Sequence, residues 1–245
     1  MSKFFVHQNQ IANGYATLTG ADVNHIVKVL RAQVGEFLLL CDGEGMDYET
    51  QICNFSREAV TVKICKAYPC LTEPKIHVTL YQGIPKQGKM EWIIEKCTEM
   101  GISAIVPVQM ERSVVHLTTD SAEKKLDRWY KTAEAAAKQC GRGKIPAVSM
   151  PIAIEQLTKE SLPSLLLMPY EGEQVTPIRQ VISTTKADSV GIFIGPEGGF
   201  TSKEVSFLLE QGAQSVTLGR RILRTETAGL AVLTMLMYER DELSY

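Results

Sequence analysis

Residues 190–204 read Val190-Gly191-Ile192-Phe193-Ile194, then Gly195-Pro196-Glu197-Gly198-Gly199-Phe200, then Thr201-Ser202-Lys203-Glu204. The first five form an apolar run of buried-strand type, and the last four have the Thr-x-x-Glu spacing of a helix capping box. Between them lies a loop with three glycines and one proline. Strand, loop and helix in that order predict a βα unit, and in open α/β sheets ligands bind at the carboxyl ends of such strands. Glycine there permits close backbone approach or positive φ, and proline stiffens the turn. An ordinary tight βα connection has the same composition. A second unusual segment follows soon after, Leu218-Gly219-Arg220-Arg221-Ile222-Leu223-Arg224-Thr225-Glu226-Thr227-Ala228.

Working outward, strand-like Ile76–Tyr81, Ala104–Val108, Leu165–Met168, Val190–Ile194 and Ser215–Leu218 alternate with helical segments near 87–100, 121–140, 153–159, 174–184, 201–211 and 224–240. That alternation predicts a mostly parallel sheet covered on both faces. The first 70 residues differ. Lys3–His7, Tyr15–Leu18, Glu36–Cys41, Asp47–Phe55 and Val60–Ala67 read as short strands, with a hairpin turn at Asp42-Gly43-Glu44-Gly45. One helix interrupts them, capped by Asp22 and with Ile26, Val29 and Leu30 as its apolar stripe. Pro69-Cys70-Leu71-Thr72-Glu73-Pro74 reads as a linker. The expected organisation is therefore a small β-barrel-like domain over 1–70 and an α/β domain over 71–245.

Composition excludes several function classes. The chain has 245 residues, 44% hydrophobic and 22% charged, with a formal net charge of -2. No global positive charge advertises a nucleic-acid partner, so any such contact must be local. The six cysteines and four histidines show no metal-ligand spacing, and no metal is expected. The opening Met1–Gln8 lacks the apolar core of a signal peptide, and the longest apolar stretch, Ala228 to Met237, is about half the ~20 residues of a membrane helix. A reduced, cytoplasmic protein without a membrane contact is expected. Walker A and complete Gly-x-Gly-x-x-Gly sequences are lacking.

The two late loops closely resemble the signatures of the RsmE family, SPOUT-class methyltransferases that make N3-methyluridine in 16S ribosomal RNA. Further matches run in order along the chain: His25–Arg31, Asp42-Gly43, Lys89–Gly101, Arg112–Val115, Arg128-Trp129, Glu134–Ala136 and Gln139–Arg142. Cys140 and Met100 stand where Ser and Leu are common in the family. The resemblance implies a PUA-like β-barrel followed by a SPOUT α/β domain with a trefoil knot. It implies S-adenosylmethionine as cofactor, held by Leu167, Met168, Gly195, Pro196, Glu197, Gly198, Gly199, Leu218, Gly219, Ile222 and Leu223. Core packing explains the apolar members equally well.

Uracil N3 carries a proton and is a poor nucleophile until that proton leaves, so a base or an anion-stabilising cation should help. Arg224 is the expected anion stabiliser, and Glu197 or Glu226 the base or positioning group. Ordinary helix-start electrostatics for Glu226 and a structural ion pair for Arg224 remain open. Lys28, Arg31, Lys86, Lys89, Arg112, Arg142 and Arg221 are the candidate RNA contacts. The implied partners are 16S rRNA, within the small ribosomal subunit, and a second copy of the chain, joined through an apolar last helix. A SPOUT enzyme acting on transfer RNA and a non-catalytic RNA-binding assembly factor are the competing functions.

Overall fold

A computed structural model describes residues 3–86, 88–115 and 119–244; the predicted helix start at Gln87 lies outside them. The chain divides into two compact units. One comprises Met1–Glu73 with Ala137–Ile145, the other Pro74–Ala136 with Pro146–Tyr245.

In the first unit, β1 (Lys3–Phe5), β2 (Ile11–Ala12), β3 (Tyr15–Thr19), β4 (Phe37–Cys41), β5 (Met46–Phe55) and β6 (Ala59–Pro69) form one curled sheet in the order β1-β4-β5-β6-β3-β2. Alternate residues turn inward, so Ala16, Leu18, Leu38, Leu40, Val60 and Val62 are buried around Phe4 and Ile26. Register shifts between β5 and β6 supply the irregularity that bends such a sheet. Asp42 closes the β4–β5 hairpin by accepting the amides of Glu44 and Met46 at 2.8 and 3.0 Å. Pro69 is the end of β6 rather than the start of a linker.

The early helix differs from its predicted form. Four α-helical residues (α1, Ala21–Asn24) run into a π turn over His25–Val29, in which the Leu30 amide reaches back five residues to the His25 carbonyl. A π turn breaks the 3.6-residue period, so Ile26 stays buried while Val29 is 67% exposed. Asp22 does not cap the helix: Gly20 holds that position, and Asp22 pairs with Lys138 at 3.3 Å.

The second unit is built on parallel strands: β7 (His77–Gly83), β8 (Ala104–Gln109), β9 (Ala147–Val148), β10 (Ile152–Ala153), β11 (Leu165–Pro169), β12 (Ser189–Ile194) and β13 (Gln214–Val216). Their order is β10-β8-β7-β12-β11-β13, with β9 also on β8. The central strands β7, β11 and β12 are almost wholly buried because both faces of the sheet are covered there. The helices are α2 (Lys89–Glu99), α3 (Thr119–Cys140, whose last turn belongs to the first unit), α4 (Ile178–Thr184), α5 (Ser202–Glu210) and α6 (Thr225–Glu239). The helix expected at 153–159 is instead the short β10 and two 3₁₀ turns. The next begins only at Ile178, because the Glu173 carboxylate holds the amides of Val175 and Thr176 in a turn before Pro177.

Gly229 lets α6 lie directly on the sheet: a Cβ there would stand 3.2 Å from Leu80 Cδ1. Among the described residues no helix is long and apolar enough to cross a membrane.

Candidate functional site

The loops after β7, β11, β12 and β13 all leave the carboxyl edge of the parallel sheet. Gly195–Phe200 is held by Arg112 and by the helix start that follows it. The capping box forms as the spacing predicts: Thr201 Oγ1 accepts from the Glu204 amide at 3.3 Å, and Glu204 Oε2 accepts from the Thr201 amide at 2.8 Å. Glu204 also accepts the Glu111 amide at 2.9 Å, so its 95% burial leaves neither oxygen unpaired. Arg112 Nη1 donates to the carbonyls of Gly198 and Phe200 at 2.9 and 3.0 Å. Gly199 adopts φ +68°, and its missing Cβ would lie 2.9 Å from Glu171 Oε1.

Beside this loop lies a cleft of about 680 Å³. One wall is Pro169, Tyr170, Glu171, Glu173 and Gln174; the other is Thr217 to Leu223, closed by Ala228. Leu218, Gly219, Ile222 and Leu223, predicted as cofactor contacts, all line it, and so does Arg221. Gly219 has φ +102°, a backbone setting that favours glycine. Leu167 and Met168 do not line this cleft; they are fully buried in β11, which meets it one residue later at Pro169. The close approach at Gly198 is to Arg112, because a Cβ there would stand 2.9 Å from the Arg112 Cβ. A branched residue at 198 would therefore strike that clamp first.

The two predicted acids share one cation. Lys89 Nζ lies 3.0 Å from Glu197 Oε1 and 2.9 Å from Glu226 Oε2. Glu197 also accepts the Lys86 amide at 3.1 Å. Burial alone would raise the Glu197 carboxyl, but its own amide, Lys89 and the Lys86 amide outweigh burial and hold it below the usual range. Glu226 is likewise held low against its burial, by Lys89, its own amide and Arg224. Lys89 is raised by the same two partners. A carboxylate held low is a weak base, so these geometries suit positioning better than proton abstraction.

Arg224 occupies the N-cap position of α6 and is exposed, with its backbone carbonyl accepting the amides of Thr227 and Ala228. It makes no ion pair within 4 Å among the described residues.

Replacing Lys89 with Met should leave two carboxylates facing each other. We expect the melting point to fall by roughly 2–4 °C at pH 7.5, the effect of about 1 kcal/mol for a half-exposed cluster in a chain of this size. Carboxyls held low contribute stability above their unfolded pKa and lose it as pH falls through the folded value. The gap between variant and wild type should therefore close as pH falls below the ordinary carboxylate range. A gap independent of pH would show that the ion pairs are not its cause.

The remaining cationic candidates divide. Lys28, Arg31, Lys86 and Arg221 are exposed. Arg31 also has φ +53°, uncommon for a side-chain-bearing residue. Arg142 is a correction. It is only 4% exposed and pairs with Glu73 at 2.8 Å, and Glu73 also accepts the amides of Gly143 and Lys144. A buried, ion-paired guanidinium cannot meet a phosphate without unfolding its surroundings. Sequence reasoning missed Gln82 and Thr225, a buried polar pair beneath the Gly195 loop, although Gln82 is visible as a polar residue closing an apolar strand. No group of three His, Cys, Asp or Glu residues placed to hold a metal ion occurs among the described residues.

Comparison with known proteins adds an independent line. An RNA methyltransferase domain model matches residues 72–237, and an RNA methyltransferase PUA domain model matches residues 18–65. The chain is 35% identical to ribosomal RNA small subunit methyltransferase E of Bacillus subtilis, over 92% of this chain and 90% of that one. It is 30% identical to the Synechocystis protein of the same name, over 96% of this chain and 76% of the other. A crystal structure of ribosomal RNA small subunit methyltransferase E from Neisseria gonorrhoeae, bound to S-adenosyl methionine, superposes with TM-score 0.85 at 30% identity, covering 97% of each chain.

Proposed function

The chain belongs to the RNA methyltransferase family that includes the ribosomal RNA small subunit methyltransferase E proteins, and from that premise we propose that it transfers the methyl group of S-adenosylmethionine to N3 of a uridine in 16S ribosomal RNA. The cleft between Pro169–Gln174 and Thr217–Leu223 is the observation that carries this assignment.

The cleft's chemistry fits the cofactor. Its volume is in the range of small-molecule sites, and Pro169, Leu218 and Leu223 give apolar surface to an adenine ring. Glu171 and Glu173 place negative charge on a wall that would meet a cation bearing hydroxyl and ammonium donors. When bound, the cofactor supplies an electrophilic methyl group on a positively charged sulfur. The protein's own part is to place the acceptor in line and ease loss of its N3 proton. Arg224 offers N–H donors to the negative charge that develops over the uracil oxygens. Lys89 fixes Glu197 and Glu226 around that position as anions.

Within this assignment residues 1–70 grip folded RNA and residues 71–245 perform the transfer. Lys28, Arg31, Lys86 and Arg221 are its phosphate contacts. The loops at 195–200 and 217–224 are the segments that a trefoil knot would tie. A homodimer would form on the side of α6 that the sheet leaves uncovered, where Met235 is 37% and Tyr238 77% exposed; α2, which packs against α6, also carries the 41% exposed Trp92. Sedimentation at micromolar concentration should give a dimer, and a fully active monomer would overturn that part.

The deciding experiment maps modified nucleotides by mass in RNA from cells with and without the gene. Loss of one N3-methyluridine from 16S rRNA is expected, along with saturable S-adenosylmethionine binding by the purified protein. An unchanged 16S rRNA with an altered transfer RNA would move the substrate, and failure to bind the cofactor would overturn the function.

A further inference from the structure

Gln82 is the penultimate residue of β7 and is wholly buried. Its side-chain nitrogen donates to the Gly83 carbonyl at 3.0 Å and to Thr225 Oγ1 at 2.9 Å. Thr225, the first residue of α6, donates in turn to the Gly195 carbonyl at 2.6 Å. Three elements thus meet in one dry relay: the end of a central strand, the start of the glycine-rich loop and the start of the last helix.

The directions of these bonds are forced. A hydroxyl has one proton, and the Gly195 carbonyl can only accept, so the Thr225 proton goes there. The hydroxyl must then accept from Gln82. This turns Gln82 Nε2 toward Thr225 and leaves Oε1 facing away, where it meets no donor among the described residues. The opposite amide orientation would set Oε1 against the Gly83 carbonyl, two acceptors face to face.

Lys89 joins the same loop and helix through half-exposed ion pairs that water and salt weaken. The Gln82 relay is shielded from both.

We propose that Gln82 is a positioning residue for methyl transfer: through the Thr225 hydroxyl it holds the Gly195 loop and the first turn of α6, with Arg224 and Glu226, at one fixed separation. The proposal rests on the cofactor-binding function assigned above. Gln82 touches neither cofactor nor acceptor in this scheme; it acts through Thr225 and the Gly195 carbonyl.

Four variants test it. Thr225→Val keeps the shape and removes the hydroxyl, while Thr225→Ser keeps the hydroxyl. Gln82→Glu keeps the shape and replaces the donor with an acceptor, and Gln82→Met removes both. Binding of S-adenosylmethionine and of S-adenosylhomocysteine is measured by calorimetry, kcat in single turnover, and folding by melting without ligand. Thr225→Val and Gln82→Glu should each weaken binding of both ligands about tenfold, the scale of one buried hydrogen bond, and lower kcat as well. Thr225→Ser should restore both. Gln82→Glu should recover toward pH 5, where a protonated carboxyl can donate again, whereas a simple packing defect would show no such pH profile. The Thr225→Val/Gln82→Met pair should cost no more than the worse single variant, because one relay is broken either way.

A folded Thr225→Val protein with wild-type affinity and kcat would overturn the proposal, as would additive costs in the double variant. Absence of cofactor binding by the wild type would overturn the assigned function and this proposal with it.

Discussion

Replacing Arg224 with Met is expected to lower the rate of methyl transfer by about 10²–10³, the usual cost of removing one preorganised donor to a developing anion, while cofactor affinity changes less than about twofold. The expectation follows from how charge is distributed at the start of α6. Lys89 is committed to Glu197 and Glu226, and both acids are held low in pKa, so neither has much basicity to offer. Arg224 makes no ion pair within 4 Å among the described residues and is exposed at the N-cap, with its guanidinium donors uncommitted. As uracil N3 loses its proton, negative charge spreads to the flanking oxygens, which a planar guanidinium can meet with two N–H groups. Arg224→Lys should fall between, keeping charge but losing the fork. Single-turnover rates with saturating cofactor and RNA check this, and wild-type turnover by Arg224→Met would place the anion stabiliser elsewhere.

Arg142→Met should destabilise the protein by about 3–5 kcal/mol, a drop in melting point on the order of 10 °C, because it leaves the Glu73 charge buried without its partner. The pair is well enclosed, with side chains 5% and 14% exposed. Glu73 would keep the Gly143 and Lys144 amides, which cannot supply a positive charge. Arg31→Ala is the contrasting variant. Arg31 is exposed, so its loss should leave the melting point nearly unchanged and reduce the salt slope of log RNA affinity by about one. If Arg142→Met melted like the wild type and bound RNA weakly, Arg142 would return to the list of phosphate contacts and its burial would be irrelevant to function.

Much of the architecture was legible because it depends on neighbours in sequence. The Thr201–Glu204 capping box, the Asp42 hairpin and the apolar strands of the parallel sheet each arise within a few residues of one another, where spacing and residue type decide the conformation. The early helix failed for a local reason too: a π turn changes the period on which an apolar stripe is counted, so Val29 faces solvent although the pattern assigns it to the core. The return of Ala137–Ile145 to the first unit carried no such signal. It is held by Glu73 and by Lys3, which donates to the Gly141 carbonyl at 2.9 Å across 138 positions.

The candidate site shows the same division. Gly219 and the Leu218–Leu223 wall of the cleft stand out in the sequence, since loop chemistry and positive φ are properties of single residues and their neighbours. What each charged group does could not. Lys89 and Arg142 are both basic, and the family resemblance makes both candidate phosphate contacts. Lys89 instead joins Glu226 across 137 positions, and Arg142 joins Glu73 across 69. By itself the sequence determined the alternation of strands and helices through most of the second unit, the Thr201–Glu204 capping box and the Asp42 turn, because those follow from short-range sterics and hydrogen bonding. Only the tertiary structure decided which charges are neutralised, which acids are held low, and that Gln82 reaches the Gly195 loop through Thr225, because Coulomb interaction and desolvation depend on distance in space and burial rather than on separation along the chain.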